Sequence, residues 1–304
     1  MARTARKPAS SATGDLSSGL AIHRCWRFGT RPRTLAVVIA FASARRLIPL
    51  SLLLLAAALG LSACAKKDDH RLIVGMELAY PPFEMMDEKG QPSGVSPDLA
   101  RALAAELHRE LVIENIPFDG LIPSLKTGKI DLIISSLTAT PERAESIDFS
   151  EPYLTTGLAL LVRQNSDVQK VADLAQSGRT VVVKKGTTGD LYAAENLKAA
   201  TVHVLDKESS CVLEVAQGKA DAFIYDQMST LKNWQRNPDT TKPLLEAFKK
   251  EQWAIGIRKN NPLRQEVNAF LQSYRERGGF TALGDKWLQQ EKKAFAERNI
   301  PFVF

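Results

Sequence analysis

Ile130-Asp131-Leu132-Ile133-Ile134-Ser135-Ser136-Leu137-Thr138-Ala139-Thr140-Pro141-Glu142-Arg143 joins a short apolar run to a group of hydroxyl side chains and one arginine. The apolar, β-branched run predicts a strand that is buried on both faces. Thr140 suits the N-cap of a following helix, and Pro141 suits its first turn. Hydroxyl groups, free backbone N–H groups and the guanidinium of Arg143 would then meet where a small carboxylate could bind. The alternative is a capped helix with a solvated arginine.

Short apolar runs and amphipathic segments alternate from residue 71 onward, which is the pattern of sheets flanked by helices. The predicted strands span residues 71–75, 111–116, 130–135, 158–163, 180–184, 201–205, 221–225 and 253–258. The predicted helices span residues 97–107, 120–127, 141–147, 189–198, 208–217 and 227–235, with Ser96 as the cap of the first. So many strand–helix units favour two α/β lobes, with a ligand cleft at the carboxyl ends of strands.

The C-terminal part of the chain has a helical pattern. Asn261-Pro262 is expected to open a helix that ends at Gly278-Gly279, and a second helix follows up to Trp287. The residues after Trp287 are expected to form a solvated helix end.

The net charge of +6 comes from the N-terminal part of the chain. Nine of the 40 Lys and Arg residues and one of the 34 acids lie within residues 1–63, which leaves 31 bases against 33 acids in the remainder. This balance argues against a nucleic-acid partner.

Residues 1–63 are predicted to be a signal peptide. Arg45-Arg46 precede the apolar run from Leu47 to Leu61, and the small residues Ser62 and Ala63 follow. The run holds Pro49 and is shorter than the roughly 20 apolar residues that cross a bilayer, which disfavours a transmembrane anchor.

Leu61-Ser62-Ala63-Cys64 resembles the lipobox of bacterial lipoproteins. The resemblance implies a lipidated, palmitate-bearing Cys64 that anchors the chain to a membrane, with residues 64–70 as the lipidated cysteine and a polar tether. Residues 1–44 are long and rich in Arg and Ser for such a leader, so a true start at Val37 or Val38 is an alternative.

The three cysteines do not predict a disulfide. Cys25 lies in the leader, Cys64 would be lipidated, and Cys211 lies in a helical pattern that favours a small buried hydrophobe. The four His residues lack the spacing of metal ligands, and we expect no metal and no cofactor.

Several segments in order resemble the bacterial extracellular solute-binding proteins of polar amino-acid ABC transporters. The resemblance runs from about Arg71 to Trp287. It rests on Val74-Gly75-Met76-Glu77-Leu78-Ala79-Tyr80-Pro81-Pro82-Phe83-Glu84, Gly94-Val95-Ser96-Pro97-Asp98-Leu99, Phe118 to Asp131, the opening stretch, Phe149-Ser150-Glu151-Pro152-Tyr153, Lys185-Gly186-Thr187-Thr188-Gly189 and Gly218 to Asp226.

The resemblance implies an α/β, two-lobed type II periplasmic-binding-protein fold. Each lobe would hold a mostly parallel sheet flanked by helices, with the ligand cleft between the lobes. Lobe 1 would comprise residues 71–157 plus 254–304, and lobe 2 residues 158–253 with hinge strands at both ends. The implied partners are a free polar amino acid, a membrane permease and the membrane itself, and the implied oligomeric state is a monomer.

The same resemblance assigns roles at the two ends of an amino acid. Arg143, with Ser135, Ser136 and Thr138 at the strand end, corresponds to the α-carboxylate clamp. Thr188 would reach the same carboxylate from the second lobe. Asp226 matches the acceptor of the α-ammonium group, although by itself it also reads as a helix N-cap.

Four further residues match positions around the ligand side chain. Tyr80 and Phe118 correspond to aromatic walls, with core packing as the alternative. Glu77 corresponds to an acid that receives a cationic or amide side chain, with a solvated carboxylate as the alternative. Lys184 replaces the apolar residue of many relatives, and a pair of Glu77 and Lys184 could recognise an amide from both sides. Arginine, lysine, histidine and glutamine all stay open as ligands.

Two other functions remain open, because one fold serves several tasks. Some relatives in the superfamily are dehydratases of cyclic carboxylic acids, and Glu77 or Asp226 could act as a general acid in such an enzyme. The pairing of Arg143 with Asp226 instead matches the two charged ends of an amino acid, which favours a binding protein that is not an enzyme. An amino-acid sensor that signals through a separate receptor is the other alternative.

Overall fold

The computed structural model describes residues 70–301 as an α/β fold with two five-stranded sheets and a small three-stranded sheet. The strands are Arg71–Met76 (β1), Ala79–Tyr80 (β2), Glu84–Met86 (β3), Pro92–Ser93 (β4), Glu110–Asn115 (β5), Leu132–Ile133 (β6), Ile147–Phe149 (β7), Leu154–Arg163 (β8), Thr180–Lys184 (β9), Thr201–Leu205 (β10), Ala222–Asp226 (β11), Thr241–Trp253 (β12) and Gly256–Arg258 (β13).

Helices cover the faces of the two larger sheets. They are Val95–Glu106 (α1), Phe118–Lys126 (α2), Pro141–Ser146 (α3), Thr188–Asn196 (α4), Glu208–Ala216 (α5), Gln227–Arg236 (α6), Leu263–Glu276 (α7), Gly279–Trp287 (α8) and Gln289–Ala296 (α9). A short 3₁₀ helix spans Val171–Leu174. The fold class predicted from the sequence is confirmed.

The two larger sheets follow the same plan. The first has the strand order β5-β1-β6-β13-β7, and the second has the order β10-β9-β11-β8-β12. In each sheet two neighbouring pairs are parallel and two are antiparallel. The parallel pairs bring the carboxyl ends of β1 and β6 together in the first sheet, and those of β9 and β11 together in the second. Ligands bind at such strand ends in α/β sheets.

The burial pattern explains why the central strands form. Val181, Val182 and Val183 of β9 are fully buried, which requires helices on both faces of the sheet. The regular pairing of the predicted strand 130–135 is short and covers only Leu132 and Ile133. Beyond it, Ile134 continues the contact by donating its backbone N–H to Gly75 O at 3.2 Å.

One predicted strand is wrong. Residues 253–258 are not one strand, because β12 ends at Trp253 and β13 begins at Gly256. The sequence did not predict the rest of β12, whose charged stretch looks like a surface loop. It forms because β12 pairs antiparallel with the buried β8, with a shift of register between Leu244 and Lys249.

Two predictions at helix ends are also wrong. Ser96 does not cap α1, because the helix already begins at Val95 and Gly94 occupies the N-cap. Gly94 has a φ of 121°, and an added Cβ would lie 2.4 Å from the Phe83 carbonyl oxygen, so the turn requires glycine. The segment after Trp287 is not merely a solvated helix end, because α9 buries Phe295 in the core.

The described residues contain no helix that is long and apolar enough to cross a membrane. The predicted signal peptide and the lipidation site Cys64 lie outside the described residues. Cys211 is a buried free thiol in α5, and burial raises its pKa to about 12. This position fits the predicted packing role.

Candidate functional site

Most of the predicted site residues line one cavity between the strand ends of the two sheets. Its lining comprises Glu77, Tyr80, Glu84, Phe118, Ser135, Ser136, Thr138, Leu158, Thr187, Thr188, Tyr225, Asp226, Glu251 and Trp253. The cavity volume is about 40 Å³. Arg143 and Lys184 are not part of this lining, but each contacts it directly: Arg143 bonds to Thr138, and Lys184 bonds to Glu77.

Arg143 lies beside the cavity, in the first turn of α3. The side chain of Thr140 caps this helix and accepts a 3.2 Å hydrogen bond from the Arg143 backbone N–H, as the sequence predicted. The guanidinium donates to the Thr138 carbonyl at 2.7 Å and to the Gly186 carbonyl at 3.0 Å. It is buried, and burial lowers its pKa to about 10 while the charge of Glu251 opposes the shift. The arginine therefore presents a charged, fixed donor group.

Glu251 is a cavity residue that the sequence did not reveal. Its side chain is 4% exposed, and its Oε2 accepts a 3.2 Å hydrogen bond from the Thr138 hydroxyl. Its Oε1 is buried and has no hydrogen-bond partner within residues 70–301. Burial raises the pKa of this carboxyl, and the hydrogen bond from Thr138 partly offsets the shift. An acid therefore lies beside the hydroxyl groups assigned to the clamp.

Asp226 lies in the cavity at the carboxyl end of β11. Its Oδ1 accepts a 3.0 Å hydrogen bond from Ser229 N, so it is the N-cap of α6, and it also accepts a 2.7 Å bond from the Tyr80 hydroxyl. Burial raises the pKa of Asp226 to about 7. The helix-cap interpretation is therefore right for the Oδ1 bond, and the residue lines the cavity as well.

Glu77 and Lys184 form an ion pair in direct contact. Lys184 ends β9 and is 3% exposed, so its ammonium has little contact with water. Ser135 Oγ accepts a 3.0 Å hydrogen bond from the Glu77 N–H and so fixes the loop after β1. The ring centroid of Phe118 lies 5.5 Å from the ammonium of Lys184 and 5.5 Å from the guanidinium carbon of Arg143. Phe118 is thus in contact range of both cations.

Ser136 lines the cavity, but its hydroxyl group donates to the fully buried Glu84, at 2.9 Å to Oε1 and 3.1 Å to Oε2. Burial raises the pKa of Glu84 well above its ordinary value, and the bonds from the Ser136 hydroxyl oppose the shift. Glu84 was not predicted as a site residue, although it lies in the segment Tyr80 to Glu84 that carries the family resemblance. Its burial gave no signal in the sequence.

Three aromatic residues surround the Tyr80 ring. Phe83 stacks on it with centroids 5.5 Å apart, and Tyr225 and Trp253 meet it edge to face, each 6.0 Å away. Tyr225 and Trp253 are lining residues that the sequence analysis missed. The predicted aromatic wall at Tyr80 is therefore one member of a larger cluster.

The arrangement offers donors and acceptors for a dipolar ligand. Arg143, with the hydroxyl groups of Thr138 and Thr188, suits an anionic group, and Asp226 suits a cationic group. Within the part of the chain that the structure describes, no group of three or more His, Cys, Asp or Glu side chains could hold a metal ion.

Comparisons with known proteins agree with this architecture. Residues 72–290 match the family described as bacterial extracellular solute-binding proteins, family 3. The chain belongs to this family.

Three similar proteins are named for amino-acid binding. The L-cystine-binding protein TcyJ of Escherichia coli K12 is 30% identical over 223 residues, which cover 73% of this chain and 84% of that protein. The arginine-binding periplasmic protein of Mannheimia haemolytica is 31% identical over 234 residues, which cover 75% of this chain and 95% of that protein. The structure of the ancestral amino acid-binding protein AncCDT-1, described as a precursor of cyclohexadienyl dehydratase, superposes with a TM-score of 0.67 at 34% identity. The superposition covers 72% of this chain and 96% of that protein.

Proposed function

We propose that this protein is the substrate-binding lipoprotein of an ABC importer, and that it captures a polar L-amino acid by closure of its cleft and delivers it to a membrane permease. One observation carries the proposal: a buried carboxyl group, Asp226, lines the cavity, and the buried guanidinium of Arg143 donates a hydrogen bond to the lining residue Thr138. An α-amino acid presents the complementary carboxylate and ammonium groups. The similar cystine-binding and arginine-binding proteins support the same class of ligand.

The two ends of the ligand would be held by different parts of the chain. Thr138 and Arg143 follow β6 of the first sheet. In the second sheet, Thr188 follows β9 and Asp226 ends β11. Only a closed cleft would satisfy the carboxylate and the ammonium together, so the ligand favours the closed state. We assign lobe 1 to residues 71–157 plus 254–304 and lobe 2 to residues 158–253.

The ligand side chain would extend toward Glu77 and Lys184, past Tyr80 and Phe118. A free acid at Glu77 would select arginine, lysine or histidine. Because Glu77 is paired with Lys184 in direct contact, the pair also offers one donor and one acceptor to an amide. The proposed ligand is therefore a basic or amide-bearing amino acid.

Lipid anchoring at Cys64 is part of the proposal and rests on the lipobox resemblance. Metabolic labelling with a palmitate analogue in a bacterial host tests it, with Cys64→Ser as the matched variant. Label on the wild-type chain and none on the variant is the expected result. Equal labelling of both chains would contradict it.

Ligand binding is tested by thermal shift of the purified protein with each of the twenty amino acids, because a ligand that binds the folded state raises the melting temperature. We expect a shift with one or a few polar amino acids and none with aliphatic ones. Absence of any shift, together with turnover of a cyclic carboxylic acid, would favour the dehydratase alternative.

A further inference from the structure

A second and larger cavity adjoins the first at the Glu77–Lys184 ion pair. Its volume is about 360 Å³, against about 40 Å³ for the first cavity. Glu77 lines both cavities, and Lys184 lines the second. The first cavity is much the smaller of the two. A long ligand side chain therefore has the second cavity as its continuation.

The walls of the second cavity are charged, and cations prevail. Lys207, Lys232 and Arg236 line it in addition to Lys184, and the acids are Glu77 and Glu208. Within residues 70–301, the side chains of Lys207 and Arg236 have no hydrogen bond or ion pair. The ion pair of Lys232 with Glu291 is long, at 3.9 Å, and burial lowers the pKa of Lys232. These cations can bind an anionic group without breaking a strong contact.

Glu208 supplies the complementary acceptor. It lies at the start of α5 and is held in place by the Ser229 hydroxyl and by Asn233 Nδ2, which donates at 2.7 Å, both to Oε1. Ser229 also bonds Asp226 through its backbone N–H, so the acceptors of the two cavities are connected through one residue. Three cations and one fixed carboxylate thus line the second cavity beyond the ion pair.

Resting on the proposed function, we propose that the second cavity is a subsite for the distal head of an elongated ligand. In addition to basic and amide-bearing amino acids, the protein then binds an L-α-amino acid whose side chain ends in a second ammonium and carboxylate. The distal carboxylate is bound by Lys207, Lys232 and Arg236, and the distal ammonium by Glu208. A ligand with a simple amide ends at the Glu77–Lys184 pair and leaves the second cavity to water.

Two thioethers test the proposal, because L-methionine shares the proximal part of L-cystathionine and lacks its distal head. We expect calorimetry to give an affinity for L-cystathionine at least about tenfold higher than for L-methionine, since the distal carboxylate gains charge-assisted hydrogen bonds. The double variant Lys207→Gln/Arg236→Gln should lose most of this preference and keep the methionine affinity. The double variant Lys89→Gln/Lys129→Gln makes the same charge change at exposed residues that line neither cavity, and it should keep the preference.

Equal affinities for the two thioethers overturn the subsite, and so does a Lys207→Gln/Arg236→Gln variant that loses both ligands alike. If glutamine or arginine binds while cystathionine shows no advantage over methionine, the subsite fails and the proposed function stands. If no amino acid binds at all, both fail. Cystathionine binding without detectable methionine binding supports the subsite, provided that the double variant abolishes it.

Discussion

The phenolic hydroxyl of Tyr80 donates a 2.7 Å hydrogen bond to Asp226 Oδ1, and the two residues are 146 positions apart in the chain. Tyr80 ends β2 of the small sheet, whereas Asp226 ends β11 of the second large sheet. The bond therefore joins two separate parts of the fold at the cavity. It also helps to keep Asp226 ionised, because it opposes the effect of burial on the pKa.

Tyr80→Phe keeps the aromatic ring and removes this bond. We expect the pKa of Asp226 to rise further and the affinity for the best amino acid to fall about three- to tenfold at pH 7, as for the loss of one hydrogen bond of about 0.5–1.5 kcal/mol. The loss should be smaller at pH 9, where Asp226 is ionised in both proteins. Calorimetry at the two pH values measures this. Tyr192→Phe is the control, because Tyr192 packs on Phe248 and does not line the cavity. An equal loss in both variants would contradict the prediction.

Arg143→Ala should abolish amino-acid binding. The variant removes a buried guanidinium whose charge-assisted bond to a carboxylate contributes about 1.5–3 kcal/mol, and it leaves the carbonyl groups of Thr138 and Gly186 without their donor. We therefore also expect a loss of stability of about 1–3 kcal/mol with the fold retained. Calorimetry and urea unfolding measure the two effects separately.

Thr140→Ala is the matched control for this variant. It removes the N-cap bond to the Arg143 N–H and should cost about 1 kcal/mol of stability while the guanidinium stays in place. Near-native affinity in Arg143→Ala, or a comparable loss of affinity in Thr140→Ala, would show that Arg143 is not the carboxylate clamp.

The sequence predicted the parts of the site that lie in local motifs. Thr140 and Pro141 open α3, and Asp226 caps α6, because helix caps depend on a few neighbouring residues. The α/β alternation was equally clear, since buried strands such as β9 are short apolar runs.

The sequence could not reveal Glu84 and Glu251, because their burial depends on distant partners. Glu251 lies on β12, where neighbouring lysines imitate a surface loop, and its environment arises from pairing with β8 and from Thr138. Glu84 is satisfied by Ser136, which lies 52 positions away. Such contacts between distant segments leave no periodic pattern in the sequence.

The buried carboxyl group of Asp226 predicts a pH dependence of stability for the ligand-free protein. Burial raises the pKa of Asp226 to about 7, above its value of about 3.9 in an unfolded chain. A raised pKa means that the contribution of this group to stability is fully present below about pH 4 and is lost as the pH rises through 7. Asp226→Asn keeps a side chain that can cap the helix and removes this loss. We expect the variant to gain stability over the wild type at pH 8 and to gain much less at pH 4.

Urea unfolding of ligand-free protein at the two pH values measures this difference. Asp239→Asn is the control, because Asp239 is exposed and the substitution should change stability little at either pH. An Asp226→Asn effect of equal size at pH 4 and pH 8 would contradict the assignment of a raised pKa.

Ser136 combines an unusual backbone conformation with a bond to a buried acid, and the two contributions can be separated. Its φ is 47°, in the left-handed region that glycine adopts more readily than alanine. Ser136→Ala and Ser136→Gly both remove the hydroxyl that donates to Glu84, so each should lose about 1–3 kcal/mol of stability. Because glycine tolerates this φ, Ser136→Gly should be more stable than Ser136→Ala by up to about 1 kcal/mol. Urea unfolding at pH 8 measures both variants, and a glycine variant less stable than the alanine variant would show that the backbone at Ser136 is not under strain.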